Sequence, residues 1–165
     1  MAVTCASFDT PIGRHWVVVS PVGLAAVVRS ELPPVEAPID EVAGAHAIDE
    51  LVGYFAGRAR GFTLRLDVRA ASPFDRAIWS AAREIPYGTT ASYGELAILA
   101  GHPGAARAAG GSMARCPLTP VVPCHRVIRA DGSIGGWGGE EWVKRWLLDL
   151  EQPGFAGRRA RPPRS

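Results

Sequence analysis

A cysteine set between a proline and a histidine is the strongest candidate for covalent chemistry in this chain. In Val122-Pro123-Cys124-His125-Arg126-Val127-Ile128 three polar residues interrupt an apolar, β-branched run. The chemistry that suits them is nucleophilic attack by sulfur. An ordinary thiol, with a pKa of about 8.5, is only slightly ionised at neutral pH and needs a nearby base or positive field to become a nucleophile. His125 and Arg126 supply both types of group. Successive side chains of an extended segment point to opposite faces, so Cys124 and His125 must communicate through a water or a backbone turn. Pro123 lacks an amide hydrogen and restricts the backbone, so the segment reads as a held loop rather than a central strand. The competing reading is a buried structural cysteine beside valine.

The elements that must position this segment fall into two parts. Residues 3–8, 14–20 and 24–28 are β-prone runs separated by Thr10-Pro11-Ile12-Gly13 and Pro21-Val22-Gly23, both turn sequences. They predict a small sheet. Residues 31–40, with three prolines, read as an exposed connection. Ile48, Leu51, Val52 and Phe55 give helical spacing over 45–56, and Gly57 can end that helix. The alternation over 62–68 predicts one more strand. Cys5, His15 and His46 lack tight ligand spacing, so no metal site is expected.

In the second part, Ser72 and Pro73 suit the cap and first position of a helix whose apolar face is Phe74, Ile78, Trp79, Ala82 and Ile85, stopped by Pro86-Tyr87-Gly88. Ser92 and Glu95 have capping-box spacing ahead of a short helix. Gly101-His102-Pro103-Gly104 then turns into a helix over 105–115, and the outline is that of a helix-turn-helix. That second helix offers Arg107 and Arg115 on a surface of Ala, Gly and Ser. Small residues let a backbone approach a narrow groove while a long arginine enters the base stack; a tightly packed core helix is the alternative. Ile134-Gly135-Gly136-Trp137-Gly138-Gly139 reads as a loop that wraps a flat ligand, since it lacks the features of a phosphate-binding P-loop. The last helix, from 140 or 141 to 151, is expected to pack Trp142, Val143, Trp146, Leu147 and Leu150. Glu151 sits at its end, where the helix dipole disfavours a carboxylate, which suggests that it holds a histidine.

Composition bounds the cellular setting. The 165 residues are 47% hydrophobic, enough for one ordinary domain or two small ones. Three cysteines without paired spacing argue against a disulfide framework and for a reducing compartment. No leader pattern and no long apolar run stand out, so a cytoplasmic protein is expected, or a nuclear one in a nucleated cell. The net charge of +2 is unevenly placed: residues 1–85 carry eight arginines against ten acidic residues, and residues 86–165 carry ten basic residues against six acidic ones. The basic half holds the cysteine motif and points to a polyanionic partner. Arg158, Arg159, Arg161 and Arg164 read as a solvated, disordered tail over 156–165.

Together, Ser-Tyr-Gly-Glu-Leu-Ala from Ser92, Ala-Arg-Ala-Ala-Gly-Gly-Ser-Met from Ala106, Pro-Cys-His-Arg-Val-Ile, Gly-Gly-Trp-Gly-Gly and Lys-Arg-Trp-Leu-Leu-Asp-Leu-Glu resemble the O6-alkylguanine-DNA alkyltransferases. The likeness runs from about Phe74 to Glu151 and is looser over the first seventy residues. It implies an α/β protein with an N-terminal α/β support domain over 1–70, RNase H-like, and a mostly helical DNA-binding and alkyl-transfer domain over 71–155. It further implies that Cys124 accepts the alkyl group, that His125 takes its proton through a water, that Glu151 orients His125, and that Tyr93 assists rotation of the nucleotide. Arg107 would replace the extruded base; Ala105, Ala106, Gly110, Ser112 and Arg115 would face DNA; and Met113, Val127, Trp137 and Gly138 would line the guanine pocket. The implied partner is double-stranded DNA carrying O6-alkylguanine, with O4-alkylthymine as a further substrate, no cofactor and no membrane. A monomer is expected, and cooperative binding on DNA is left open.

One residue departs from the family pattern. Cys116 stands where the family usually has an asparagine, and a thiol is the poorer hydrogen-bonding group, so a looser active-site loop and an oxidative Cys116–Cys124 disulfide are both hypothesised. Two rival readings remain: a lesion-binding alkyltransferase-like protein that transfers nothing, which the presence of Cys124 opposes, and a cysteine hydrolase of another substrate.

Overall fold

The computed structural model describes residues 2–155, so the arginine-rich tail lies outside the described residues. The described chain is α/β and divides into two compact units, residues 2–71 with 117–121, and residues 72–116 with 122–155.

The first unit is a three-stranded antiparallel meander, β1 (Thr4–Thr10), β2 (Gly13–Val19) and β3 (Leu24–Arg29), in the order β1-β2-β3, with α1 (Glu41–Phe55) packed on β1 and β2. The first hairpin is closed by local chemistry: Thr10 Oγ1 accepts from Ile12 N at 3.1 Å and donates to Gly13 O at 3.0 Å, while Gly13 takes a φ of 116°. α1 lays Gly44, Ala47, Leu51, Tyr54 and Phe55 on the sheet. At Gly44 the approach is so close that a Cβ would lie 2.8 Å from that of Ala6.

Three expectations change here. α1 begins at Glu41 rather than at residue 45, because the Asp40 carboxylate accepts from Val42 N and Ala43 N and caps an extra turn whose one large apolar residue, Val42, is exposed. Residues 62–68 do not form a strand. Leu24 N donates to Arg65 O and Asp67 N donates to Leu24 O around an isolated bridge, while Thr63 N and Oγ1 are both taken by the Glu50 carboxylate, which displaces a ladder. Residues 117–121 belong to the first unit, where Val27 N of β3 donates to Pro117 O at 2.8 Å.

The second unit contains α2 (Pro73–Ala82), β4 (Ala91–Ser92), α3 (Tyr93–Leu99), α4 (Ala106–Arg115), a 3₁₀ turn at Cys124–Arg126, β5 (Val127–Ile128) and α5 (Glu141–Glu151). Ser72 Oγ accepts from Asp75 N and Ser92 Oγ from Glu95 N, so both serine caps stand where their spacing put them. α2 ends at Ala82, earlier than Pro86. Its last turn tightens through Glu84 N to Ala81 O and Ile85 N to Ala82 O, ahead of a proline that disfavours helix in the residue before it. α2, α3 and α4 pack on one another around Ile78, Ala82, Leu96, Ala97 and Ala109, and Trp79 Nε1 donates to Ser112 O at 3.1 Å. β4 and β5 form a two-rung parallel pair, Ala91 opposite Val127 and Ser92 opposite Ile128. Among the described residues no helix is long and apolar enough to cross a membrane.

Candidate active site

A tight turn, rather than an extended segment, presents the cysteine. Arg126 N donates to Pro123 O and Val127 N to Cys124 O, winding Cys124, His125 and Arg126 into one 3₁₀ turn before the chain extends into β5. Cys124 is 2% exposed and His125 fully buried. The sequence offered a backbone turn here as one of two routes from Cys124 to His125, but not its type, because no strand or α-helix pattern encodes three residues of 3₁₀.

Behind the turn, the His125 ring lies with Nε2 2.5 Å from Glu151 Oε2. Glu151 is the last residue of α5, and its carboxylate also receives Arg126 Nε at 2.7 Å, Arg126 Nη2 at 2.9 Å and Gly88 N at 3.1 Å. Arg126 Nη1 donates to Ile85 O at 2.7 Å, and its guanidinium sits over the Tyr87 ring. Burial is the main influence on His125 and lowers its pKa; Glu151 pulls it back up, while Arg126 and Lys144 push it down. The imidazole is therefore neutral at rest. With Nε2–H donated to Glu151, the neutral tautomer carries its lone pair on Nδ1, where a proton from Cys124 can be accepted. The expected partnership of His125 and Glu151 is present in the structure.

Tyr93 opens α3 and is half-buried, with its ring against α4: a Cβ on Gly110 would lie 3.7 Å from its Cδ1. Burial first, and Cys124 second, raise its phenol pKa, so the hydroxyl is a donor at neutral pH. Met113 and Val127 are buried, Trp137 is half-buried and Gly138 is exposed. On α4, Arg107 is exposed and Ala106 and Gly110 are partly exposed, as is Ala105 just before the helix. Ser112, expected on the DNA-facing side, is instead fully buried beside Asp75, because α4 turns that position toward α2. Arg115 is tied to Asp75, its Nη2 2.8 Å from Oδ1. That pair holds the Asp75 carboxyl below the usual range. Cys116 is partly buried at the end of α4, its N donating to Met113 O, and none of the three cysteines is disulfide-bonded in the structure.

The chief omission of sequence reasoning is Lys144. It is fully buried, donates from Nζ to Val127 O at 2.7 Å and to Ile134 O, and lies 5.8 Å from the Tyr93 ring centroid and 5.6 Å from that of Trp137. It joins β5 to the glycine-rich loop between two aromatic walls. The buried face of α5 is Val143, Lys144, Leu147, Leu148 and Glu151, whereas Trp142, expected inside, is 50% exposed. The signal was available: Lys144 precedes Leu147, Leu148 and Glu151 by three, four and seven positions, on one helical stripe.

Burial lowers the Lys144 pKa to about 8, with Cys124 acting in the opposite sense and Arg129 in the same one. Between about 8 and its ordinary 10.5 the unfolded chain binds more protons at this residue, so its contribution to stability rises as pH rises through that window. Lys144→Met is expected to remove that alkaline gain. At neutral pH it should cost about 2 kcal/mol, because two buried carbonyls lose their donor. Urea unfolding of both proteins across pH checks this, and parallel stability curves would refute it.

Cys5, His15 and His46 lie apart in role. Cys5 shares an apolar cluster with Trp16 and Val18, His15 packs at a tilt between Phe8 and Phe55, and His46 lies 3.9 Å from Glu50. Among the described residues no group of three candidate ligands could hold a metal.

Residues 73–153 match the family described as 6-O-methylguanine DNA methyltransferase, DNA binding domain. A methylated-DNA–protein-cysteine methyltransferase of Mycolicibacterium paratuberculosis is 49% identical over 108 residues, which cover 66% of this chain and 65% of that protein. The matched stretch thus spans slightly less than two thirds of that relative. The Mycobacterium leprae protein of the same name is 40% identical over 156 residues, covering 91% of this chain and 93% of its own length. A Thermus thermophilus relative named DNA base-flipping protein is 40% identical over 86% of this chain and 95% of its own length. The crystal structure of Mycobacterium tuberculosis OGT in complex with DNA superposes with a TM-score of 0.84 at 40% identity, covering 91% of this chain and 93% of that one. Full-length identity of this order, with matching architecture, places the chain in the methylated-DNA–protein-cysteine methyltransferase family.

Proposed function

We propose that this protein reverses O6-alkylguanine damage in duplex DNA by moving the alkyl group irreversibly onto Cys124, once per molecule. The observation that carries this reading is the buried sequence of groups behind the sulfur: Cys124, the neutral His125 beside it in the turn, and Glu151 holding the far side of the imidazole. An O6-alkyl carbon inside a duplex is out of reach, so the nucleotide is extruded at a cost of a few kcal/mol. α3, its glycine turn and α4 act as a helix-turn-helix whose exposed Arg107 takes the vacated place in the stack, with the small residues Ala105, Ala106 and Gly110 allowing close approach to the minor groove. Tyr93 guides the rotation, and Met113, Val127, Trp137 and Gly138 line the guanine pocket. O4-alkylthymine fits the same chemistry. The first unit serves as an RNase H-like support, and the protein works as a monomer in a reducing compartment.

In the chemical step the thiol proton passes through a water to His125 Nδ1, and the sulfur forms a bond to the alkyl carbon as the carbon–O6 bond breaks. The electron pair stays with the guanine, and the proton held by His125 neutralises it, with the Tyr93 hydroxyl donating to the leaving base. The thioether that remains on Cys124 is not cleaved by water.

The test is intact-protein mass after incubation with a duplex containing one O6-methylguanine. A gain of one methyl group, mapped to Cys124, is expected; an unchanged mass with retained binding would instead establish a protein that flips the base without chemistry. That second reading is favoured by the Thermus thermophilus relative's name and opposed by the nucleophile in place at Cys124.

A further inference from the structure

Arg126 stands next to the reacting pair, is 6% exposed, and spends its whole guanidinium inside the unit. Nε and Nη2 form a fork on the two oxygens of Glu151, at 2.7 and 2.9 Å, and Nη1 binds Ile85 O at 2.7 Å. Glu151 Oε2 is thus shared between the guanidinium and His125 Nε2, and Oε1 between the guanidinium and Gly88 N. A buried carboxylate facing a histidine alone has two neutral arrangements, one of them with the proton on the carboxylate. Here a fixed positive charge already compensates the carboxylate, and three donors that do not depend on the histidine tautomer, Arg126 Nε, Arg126 Nη2 and Gly88 N, occupy its two oxygens, which disfavours the carboxylic acid form.

We propose that Arg126 is a positioning residue of the alkyl-transfer site: it keeps Glu151 as a charged acceptor, which locks the His125 proton on Nε2 and leaves Nδ1 as the base that serves Cys124. The inference rests on the alkyl-transfer reading for its purpose, but its geometry is independent of it. The charged groups facing the His125 ring are Glu151 and Lys144 from α5 and Arg126 from its own turn. Glu151 favours the imidazolium and the two cations oppose it. Arg126 therefore does two things with one side chain. It fixes which nitrogen carries the proton, and it makes the imidazolium short-lived, so the proton taken from the thiol is readily passed on to the departing base.

The test combines ¹⁵N-histidine NMR of the full chain with single-turnover transfer measured across pH. In the unmodified protein His125 should show the Nε2–H neutral tautomer at neutral pH; an imidazolium, or the Nδ1–H tautomer, would overturn the proposal. In Arg126→Gln the His125 titration should move up by about one pH unit, and the acid limb of the transfer rate should move up with it. Arg126→Lys keeps the charge, so both should stay near their original positions, with a rate loss of no more than about tenfold. A uniform rate loss at every pH with an unmoved His125 titration would show that Arg126 only braces the chain, and would sink the idea. Should Arg126→Gln not fold, the tautomer of the unmodified protein still decides. The NMR readout needs no damaged DNA, so a failure of the alkyl-transfer reading is seen separately in the mass measurement.

Discussion

Cys124→Ser is expected to abolish the proposed alkyl transfer, by at least about 10³-fold, while duplex binding is retained. The exchange changes one atom in a position that is 2% exposed, so neither the turn nor the packing around Val122 and Val127 is disturbed. The chemistry is lost all the same. A hydroxyl ionises several units above a thiol, and neutral His125, weakened as a base by burial and by two neighbouring cations, cannot draw its proton. Arg107 and the exposed face of α4 are untouched, so the affinity for duplex DNA should remain within about twofold. Protein mass after exposure to O6-methylguanine DNA and a mobility-shift titration together check both halves. Residual transfer near the original rate would move the nucleophile elsewhere, with Cys116 as the first place to look.

The second large effect belongs to Glu151→Ala. Removing the carboxylate leaves His125 Nε2 and the fork of Arg126 without their acceptor in a buried setting and takes the side-chain partner from Gly88 N. Breaking one side of a buried ion pair costs about 3–5 kcal/mol, because the remaining charge stays desolvated. Urea unfolding should report a loss of that size. Transfer, measured well below the unfolding transition, should fall by about 10²–10⁴, the usual range for losing the support of a general base. Glu151→Gln keeps the shape and removes the charge, so it should recover part of the stability and little of the rate. Stability and rate both close to the original would mean that the carboxylate is incidental.

How much of this was legible depended on how local the deciding physics is. The caps at Ser72 and Ser92 were readable because donor and acceptor lie three residues apart. Glu151 was readable as an anomaly, a carboxylate at the wrong end of a helix. Lys144 was only half legible: its spacing to Leu147, Leu148 and Glu151 puts it on the buried stripe, but a lysine near the start of an amphipathic helix reads as solvated, and the carbonyls of Val127 and Ile134 that make its burial possible lie ten and more residues away in sequence. Ser112 was misplaced for the converse reason. A small polar residue on a helix of alanines and glycines gives no hint of facing Trp79 and Asp75 rather than a groove. Residues 62–68 alternated like a strand, yet the Glu50 side chain from α1 claimed Thr63, a competition that pattern alone cannot register.

The two-rung pairing of β4 with β5 has a consequence for how this scaffold can change. Ser92 caps the helix that Tyr93 opens, and Val127 follows the turn that carries Cys124, so a ladder of two residues gears the Tyr93 ring to the sulfur. In such a pairing a slip of one residue sends every side chain to the opposite face. Insertions at 91–93 or 127–128 would therefore disengage the two at once, whereas the glycine turn at 101–104 can lengthen without touching that gear. Variation in length has room to accumulate at the turn, while the spacing between Tyr93 and Cys124 is inherited as a single unit.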